Sequence, residues 1–366
     1  MMSPSENERV RSIDALRGFD MFWIMGGAAL CSALLKLVKT PWALKAAEQF
    51  SHSEWNGFTF YDLIFPLFLF IVGASIPFAL AKRLQKDTVK TVHRHILVRT
   101  VKLIFFGFLV NGLLDLNFTT QRWAGVLQRI GLCYGAVSLI AMHSGWKFQS
   151  VLFASLLLLY WAAMMLIPVP GYGAGILTPE ANLASYIDRL LLPGTFCCFV
   201  FGDNEGLLST LPAIATCLLG ALSGHWLRSG HTAQSKIKGM LLAGLLALGL
   251  ALIWNLVFPI NKLIWTSSYV LFTGGLSLLL LCLFYYIIDV KKRQQWAFPF
   301  IVIGLNAITI YLVQDLFQFS TITDIFVHGF IDSLGDFRTA CYIAATLLVK
   351  WLFLYFLYKQ KIFLKA

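Results

Sequence analysis

Residues 62–81 read Asp62-Leu-Ile-Phe-Pro-Leu-Phe-Leu-Phe-Ile-Val-Gly-Ala-Ser-Ile-Pro-Phe-Ala-Leu-Ala81. The only charged residue of this stretch is its first one, and every residue after it is uncharged. A bilayer core about 30 Å thick is crossed by a helix of about 20 mostly apolar residues. The stretch therefore predicts a transmembrane helix, and the rest of the chain repeats the same pattern.

The composition of the whole chain agrees with this stretch. Of the 366 residues, 58% are hydrophobic and 13% are charged, and the mean hydropathy is +0.74. A soluble domain is about 25% charged and a disordered chain has few apolar residues, so both classes are excluded. The pattern predicts an all-α polytopic membrane protein with about ten transmembrane helices in a single helical bundle. The predicted spans are 18–38, 62–81, 96–114, 124–142, 148–168, 207–226, 238–258, 267–288, 298–317 and 339–358.

The positive charges predict the orientation of these spans. Lys and Arg number 29 against 18 Asp and Glu, which gives a net charge of +11. With the N-terminus inside, most of them fall at cytoplasmic ends, as the positive-inside rule requires. We expect one transmembrane domain over 18–358, with cytoplasmic termini at 1–17 and 359–366. The segments predicted on the non-cytoplasmic side are 39–61, 115–123, 169–206, 259–266 and 318–338.

The outer segment that enters the second span carries a histidine and a carboxylate, His52 and Asp62. An imidazole with an ordinary pKa near 6.5 suits general-base or acyl-acceptor chemistry. Pro66 follows inside the span, where it would free a backbone carbonyl, and irregular backbone at depth needs protein or a wet cavity beside it. The alternative is an interfacial loop in which Trp55 lies in the aromatic belt and Asp62 caps the helix. The residues alone leave both open.

A basic stripe is predicted on the cytoplasmic half of the third span. His95, Arg99 and Lys102 follow i, i+4, i+7 spacing and therefore share one helix face. Together with Arg17, at the inner end of the first span, they suit a multiply anionic ligand that arrives from the cytosol. Anchoring at the membrane interface explains them equally well. The candidate counter-ions of Arg17 are Asp14 and Asp20.

Other polar residues lie in or beside the outer ends of spans. Arg129 is inside the fourth span, where an arginine needs a partner in the bundle interior, and Asp62 and Glu205 are the candidates. Glu205 also fits a simple dipole-complementing role at the start of the sixth span. Weaker candidates are Asn261, Lys262 and Asn306. The adjacent Cys197 and Cys198 fit no zinc spacing, so no metal is expected.

Five motifs in series resemble one family. They are Ser12-Ile-Asp14-Ala-Leu-Arg17-Gly18, His52-x-x-Trp55-Asn56-Gly57 followed by Asp62-Leu-Ile-Phe-Pro66, Gly125-Val-Leu-Gln128-Arg129, Glu205-Gly206-x-Leu208-x-Thr210, and Pro259-x-Asn261-Lys262-x-x-Trp265-x-x-Ser268-Tyr269. This series resembles the heparan-alpha-glucosaminide N-acetyltransferase family of transmembrane acetyltransferases. The resemblance runs from about residue 9 to 317, and its second motif is the most specific.

The resemblance implies acetyl-CoA as the cytosolic donor and an amino sugar as the acceptor on the far side. It implies that His52 is the essential histidine, because His52 occupies that position of the family's His-x-x-Trp-Asn-Gly motif. The predicted topology agrees, since it places His52 outside and the basic stripe inside. A pantetheine arm is long enough to reach about halfway across the core, so the thioester and the amine can meet at depth.

Two departures from the family separate this chain from the animal enzyme. We expect no luminal domain before the first shared span, and an Asn late in that span is replaced by Gly26-Gly27-Ala28. The second departure argues against assuming heparan as the substrate. We therefore expect a bacterial-type member, with several passes through the cytoplasmic (inner) membrane.

The predicted function is transfer of acetyl from cytosolic acetyl-CoA to the amine of a glucosamine-type sugar or glycan on the non-cytoplasmic side. His52 is the predicted general base or transient acyl carrier, with Asp62 as its catalytic partner. The acceptor-site candidates are Trp55, Asn56, Arg129, Glu205, Asn261 and Lys262. The donor-site candidates are Arg17, Arg99 and Lys102. The alternatives are an amino-sugar permease and an O-acetyltransferase of a surface polysaccharide.

The expected partners are few. Besides acetyl-CoA they are the amino sugar or glycan and the lipid bilayer, with no nucleic acid. A homodimer is left open, since membrane proteins with large apolar surfaces often pair. The long outer segment 169–206 is the predicted place for glycan specificity.

Overall fold

The computed structural model describes residues 10–364; the first part of the predicted cytoplasmic N-terminus and the last two residues lie outside it. The fold is all-α, as predicted, and its one sheet in this range is a two-residue antiparallel pair, β1 (Cys198–Phe199) and β2 (Gly202–Asp203). The α-helices are α1 (Arg11–Phe22), α2 (Ala28–Leu37), α3 (Pro41–Glu48), α4 (Ile64–Leu84), α5 (Val89–Val110), α6 (Val126–His143), α7 (Trp146–Leu166), α8 (Leu183–Leu191), α9 (Thr210–Arg228), α10 (Ala233–Trp254), α11 (Ser267–Phe284), α12 (Phe298–Leu305), α13 (Ala307–Leu316), α14 (Phe319–Ile331) and α15 (Arg338–Lys359).

The helices confirm a multi-pass membrane protein. Within residues 10–364, eight helical stretches are long and apolar enough to cross a membrane, or nine if the bent pair α12–α13 is one span. The predicted count was ten. The predicted third span is not among these stretches. Its helix, α5, is 22 residues long, but it carries Arg94, Arg99 and Lys102 and is therefore too charged to count.

The segment 318–338 departs from its prediction as an outer loop. Most of it is α14, followed by a 3₁₀ turn at Asp332–Phe337 that leads into α15. Thr323, Val327 and Ile331 are buried at i, i+4, i+8 spacing, which is the pattern of a helix with one packed face. The loop prediction is wrong because the apolar face of α14 is short and polar residues at both ends of the segment weaken its helical pattern.

The chain folds into two compact units. The larger unit comprises 54–57 and 69–282, and the smaller unit comprises 10–53, 58–68 and 283–364. The predicted single transmembrane domain stays a prediction.

In the larger unit, α4 and α9 approach each other through glycines. A Cβ atom on Gly73 would lie 1.8 Å from the carbonyl oxygen of Cys217, and one on Gly220 would lie 2.0 Å from that of Phe70. Small residues allow this approach, which replaces the hydrophobic driving force that helices lack in lipid. Beside the predicted outer segments, a cluster around Tyr160 and Phe258 forms a buried core.

In the smaller unit, α1 and α12 also approach each other through glycines. A Cβ atom on Gly18 would lie 1.7 Å from the carbonyl oxygen of Phe300, and one on Gly304 would lie 2.0 Å from that of Asp14. The glycine that ends the first family motif is therefore a packing requirement.

The first span is broken between α1 and α2. A π-helical turn occupies Trp23–Gly27, where Gly26 has a φ of 133°. The ammonium of Lys350 on α15 donates to the carbonyl oxygen of Met25 at 2.8 Å and to Oε1 of Gln314 at 3.3 Å. This explains a lysine inside an apolar helix, since a carbonyl freed at membrane depth needs a donor.

The start of the second span is also irregular. A 3₁₀ turn, Phe60–Leu63, precedes α4, and Pro66 is the third residue of that helix. The helical stretch as a whole runs from Phe60 to Leu84, so Pro66 lies one turn after Asp62, and the predicted free carbonyl stays a prediction.

Replacing Gly18 by Ala tests the α1–α12 contact. The added methyl cannot fit against backbone, so we expect a loss of about 1–3 kcal/mol in unfolding free energy. Gly329→Ala on α14 is the matched control, because nothing lies within 4 Å of its Cβ position and alanine favours the helix. The measurement is thermal unfolding of both variants in detergent; equal melting temperatures would contradict the contact.

Candidate active site

His52 and Asp62 form a hydrogen-bonded pair in the smaller unit. Nδ1 of His52 lies 2.8 Å from Oδ1 of Asp62. Oδ2 of Asp62 accepts from the backbone N–H groups of Ser53 at 3.2 Å and Thr59 at 3.1 Å, and the Thr59 hydroxyl lies 3.0 Å away. The carboxylate is fully buried, whereas 47% of the His52 side chain is exposed. Asp62 is thus both the helix cap and the partner of His52.

This arrangement orients the imidazole. Because a carboxylate only accepts, Nδ1 of His52 carries the proton of the shared hydrogen bond, and Nε2 is the basic nitrogen. The ring stacks on Tyr61, with ring centroids 4.7 Å apart and planes 29° apart. A buried carboxylate behind a half-exposed imidazole is the arrangement of a general base whose charged form is stabilised from behind.

Trp55 and Asn56 lie in the larger unit and are held by its loops. The indole N–H of Trp55 donates to the carbonyl oxygen of Leu177 at 3.0 Å, and its ring meets Phe199 edge-on. Oδ1 of Asn56 accepts from Nδ2 of Asn261 at 3.1 Å. Two predicted acceptor-site residues, 205 positions apart, are therefore in direct contact.

The motif that begins at Pro259 is a buried polar turn before α11. Oδ1 of Asn261 accepts from the N–H of Ile264 at 3.1 Å, and the N–H of Asn261 donates to the hydroxyl of Thr266 at 3.0 Å. Lys262 is 7% exposed. Both residues were predicted only as weaker candidates, because a short turn between spans does not reveal its burial.

Arg129 does not have the carboxylate partner predicted for it. Within residues 10–364, its hydrogen bonds go to the carbonyl oxygen of Gly206 at 3.1 Å and to the hydroxyl of Ser209. Its guanidinium also lies over the ring of Trp265, 4.9 Å from the centroid. The helix N-terminus beside it supplies neutral oxygens, while the nearest acid, Glu205, is bound by another arginine.

That other arginine is Arg122, which was not predicted as a site residue. It donates to Asp203 through Nε at 2.8 Å and Nη2 at 2.6 Å, and also to Glu205. Burial opposes the Arg122 charge, but Asp203 and Glu205 outweigh it and raise the pKa of the guanidinium. Burial would likewise raise the pKa of Asp203, but the hydrogen bonds and charge of Arg122 lower it. Glu205 is thus part of an ion-pair network with Arg122. The sequence signal that could have revealed Arg122 was its position just before the start of the fourth predicted span.

Asp188 binds backbone groups of the same loop. It accepts from the N–H groups of Asp203 at 3.2 Å and Leu207 at 2.9 Å, and burial raises its pKa to about 6. A Cβ atom on Gly206 would lie 2.0 Å from the Asp188 carboxylate, so the glycine of the fourth family motif is required for this contact. Among the described residues, no group of three His, Cys, Asp or Glu side chains is placed to hold a metal.

The predicted donor-site residues are divided between the units. In the smaller unit, Arg17 pairs with Asp14 at 3.3 Å, as predicted. In the larger unit, Arg99 lies over the ring of Tyr134 at 4.4 Å, and Lys102 is exposed. The Nε atom of Arg99 is buried without a hydrogen-bond partner in the described part of the chain.

Asp20 is not the counter-ion of Arg17. It is fully buried, and neither carboxylate oxygen has a hydrogen-bond partner within residues 10–364. The prediction is wrong because Arg17 bonds to Asp14, one turn earlier on the same helix.

The fold and the His52–Asp62 pair define a multi-pass helical membrane protein with a candidate general base. Residues 9–164 match the family model described as a domain of unknown function, DUF5009. The chain is 28% identical to heparan-alpha-glucosaminide N-acetyltransferase of Homo sapiens, over 85% of this chain and 53% of that protein. It is also 28% identical to the Mus musculus protein of the same name, over 86% and 54%.

These findings confirm the predicted resemblance to the heparan-alpha-glucosaminide N-acetyltransferases. It spans about half the length of the curated relatives it matches.

Replacing Arg122 by Gln tests the ion-pair network of Arg122, Asp203 and Glu205. Leaving Asp203 and Glu205 unpaired and buried costs about 3–5 kcal/mol of unfolding free energy. The lowered pKa of Asp203 means that its contribution is present above the ordinary Asp value of about 3.9 and is lost as pH falls through the folded-state pKa. We therefore expect the full loss in melting temperature at pH 7 and a smaller one in acid.

The matched control is Arg189→Gln. Within residues 10–364, the hydrogen bonds of Arg189 go to the backbone carbonyls of Phe201 and Glu180, so a much smaller loss is expected. Equal losses for Arg122→Gln and Arg189→Gln, or a pH-independent loss at Arg122, would contradict the network.

Proposed function

We propose that this chain is a transmembrane acetyltransferase that moves acetyl from acetyl-CoA to the amine of a glucosamine-type sugar or glycan. The observation that carries the proposal is the hydrogen bond between Nδ1 of His52 and the buried Asp62 carboxylate. The names of the relatives supply the class of reaction and the kind of acceptor.

The chemistry assigned to the pair is general-base catalysis. Nε2 of His52 takes a proton from the sugar ammonium, and the free amine attacks the thioester carbonyl. The C–N bond forms and the C–S bond breaks; one of the two protons left on the attacking nitrogen passes to the departing thiolate, and the other stays as the amide N–H. His52 then releases its proton to water. Asp62 holds the ring in the tautomer that has Nε2 free of hydrogen and stabilises the imidazolium.

The acceptor-site assignment rests on Trp55 and Asn56, which follow His52 by three and four residues in the chain. Asn56 is positioned by its hydrogen bond to Asn261, which lies beside the buried Lys262. We assign these four residues to recognition of sugar hydroxyls and the sugar face. Arg129 and Glu205 support the same loops through their own hydrogen bonds.

The donor is assigned to the cytoplasmic side. Arg17, Arg99 and Lys102 lie at or near the predicted inner ends of the first and third predicted spans, and the buried Nε–H of Arg99 suits a phosphate oxygen. The acceptor then approaches from the opposite side, and the protein resides in a bacterial cytoplasmic membrane.

Removing the imidazole tests the general base. We expect His52→Ala to lower the rate of glucosamine acetylation by about 10²–10⁴-fold, which is the usual contribution of a general base. Binding of acetyl-CoA should be nearly unchanged, because the coenzyme phosphates are assigned elsewhere. The measurement is transfer of labelled acetyl by the purified full chain, together with a dissociation constant for acetyl-CoA.

The matched control is His328→Ala, an exposed histidine on α14 in the same unit. This variant should retain the wild-type rate. Wild-type turnover in His52→Ala would rule out the assignment, and a parallel loss of acetyl-CoA binding would indicate a folding defect.

A permease is the second candidate, because two spans are interrupted. The first breaks at Gly26, and α12 and α13 meet at an angle of 60°. Broken helices of this kind form substrate sites in secondary transporters.

A sealed-vesicle assay separates the candidates. With labelled acetyl-CoA inside and glucosamine outside, the acetyltransferase should place label on external glucosamine as an amide. Uptake of unmodified glucosamine without acetyl-CoA would instead indicate a permease. Label recovered as a base-labile ester on a polysaccharide would indicate an O-acetyltransferase. Vesicles from cells that lack the protein provide the baseline.

A further inference from the structure

Asp20 is a buried acid that the proposed chemistry does not use. It lies on α1, about 14 Å along the helix from its start, and its exposed fraction is 0%. Neither oxygen has a hydrogen-bond partner in the part of the chain that the structure describes. A carboxylate inside a membrane span is costly unless it is paired, and such residues generally mark functional sites.

A second unsatisfied group lies one turn further along the same helix. Trp23 follows Asp20 at i+3, so the two side chains are neighbours on one face. The indole N–H of Trp23 is buried and has no acceptor among residues 10–364. An unused donor beside an unused acceptor indicates a ligand that bonds to both.

Aromatic rings pack against Trp23. The ring of Trp23 lies 4.9 Å from that of Phe60 and 5.8 Å from that of Phe50, measured between centroids. Phe60 directly precedes Tyr61 in the same 3₁₀ turn. Tyr61 in turn stacks on the imidazole of His52. All these residues belong to the smaller unit, so Trp23 is linked to the candidate general base through Phe60 and Tyr61.

The combination has a definite chemical preference. A desolvated carboxylate binds an ammonium group strongly, an indole N–H donates to a hydroxyl, and aromatic faces cover the C–H face of a sugar ring. A metal ion needs several oxygen or nitrogen ligands, and here one carboxylate stands alone.

We infer that Asp20 and Trp23 form the subsite that holds the amino group and one hydroxyl of an amino sugar. The inference rests on the proposed acetyltransferase function, because it names the residues that select an amine as the acceptor. Asp20 binds the ammonium, and His52 takes its proton when the amine moves to the thioester. The subsite thus explains how an amine is preferred to a hydroxyl, which a general base alone does not decide.

The test compares glucosamine with glucose, which differ only in the amine or hydroxyl at one carbon. Binding of each sugar is measured by calorimetry on the purified full chain in detergent, without acetyl-CoA. Wild type should bind glucosamine at least tenfold more tightly, since a hydrogen bond to a charged group contributes about that much. Asp20→Asn should remove this preference and bind the two sugars alike.

Two more variants sharpen the result. Trp23→Phe keeps the ring but loses the N–H, so both sugars should bind several-fold more weakly with the preference for glucosamine retained. Asp315→Asn, which alters an exposed carboxylate on α13, should match wild type. Asp20→Asn should melt no lower than wild type, because it removes an unpaired buried acid. If Asp20→Asn melts at a lower temperature than wild type, its binding data are set aside. The affinity of Trp23→Phe for the two sugars then tests the subsite instead.

The subsite is overturned if Asp20→Asn retains the preference, if wild type has none, or if Trp23→Phe binds both sugars normally. His52→Ala distinguishes this failure from that of the proposed function. If His52→Ala binds glucosamine normally and still acetylates it, the general-base assignment is contradicted and the subsite assignment stands. If His52→Ala is inactive and Asp20→Asn keeps the preference for glucosamine, the subsite assignment is contradicted and the general-base assignment stands.

Discussion

Polar groups at membrane depth must find partners within the protein, and this constraint governs the fold. Where the first span breaks at Gly26, the carbonyl of Met25 is bound by Lys350 from a distant helix. Where the second span begins, Asp62 takes up two backbone N–H groups before α4 starts. Each irregularity is thus stabilised by one charged side chain. The same constraint makes the unpartnered Asp20 unusual.

The candidate catalytic pair inherits its geometry from a helix start. Asp62 is held by the hydrogen bonds that end the loop and begin the 3₁₀ turn, so its position is fixed before His52 is considered. The imidazole then needs only one hydrogen bond and the Tyr61 ring to be oriented. A rigid acceptor of this kind preorganises the base, which lowers the entropy cost of each turnover.

The fold class and the His52–Asp62 pair could be predicted from the sequence, because apolar length and a specific motif are local signals. The partners of the arginines could not. Arg122 and Arg129 both lie near the start of one helix, and which of them binds Glu205 depends on how a loop about 80 residues away folds back. The helix α14 was missed because its packed face is short and its ends are polar. The isolation of Asp20 was equally hidden, since its spacing from Arg17 resembles an ion pair on one helix face.

The two members of the catalytic pair differ in how freely evolution can change them. Asp62 satisfies backbone donors as well as the imidazole, so its loss would damage the helix start along with the chemistry. His52 makes its bond to Asp62 from a half-exposed loop position, and that bond adds no contact to the helix start. A descendant of this fold that no longer used the proposed general base would therefore be expected to lose the histidine first and to keep the aspartate for its structural role.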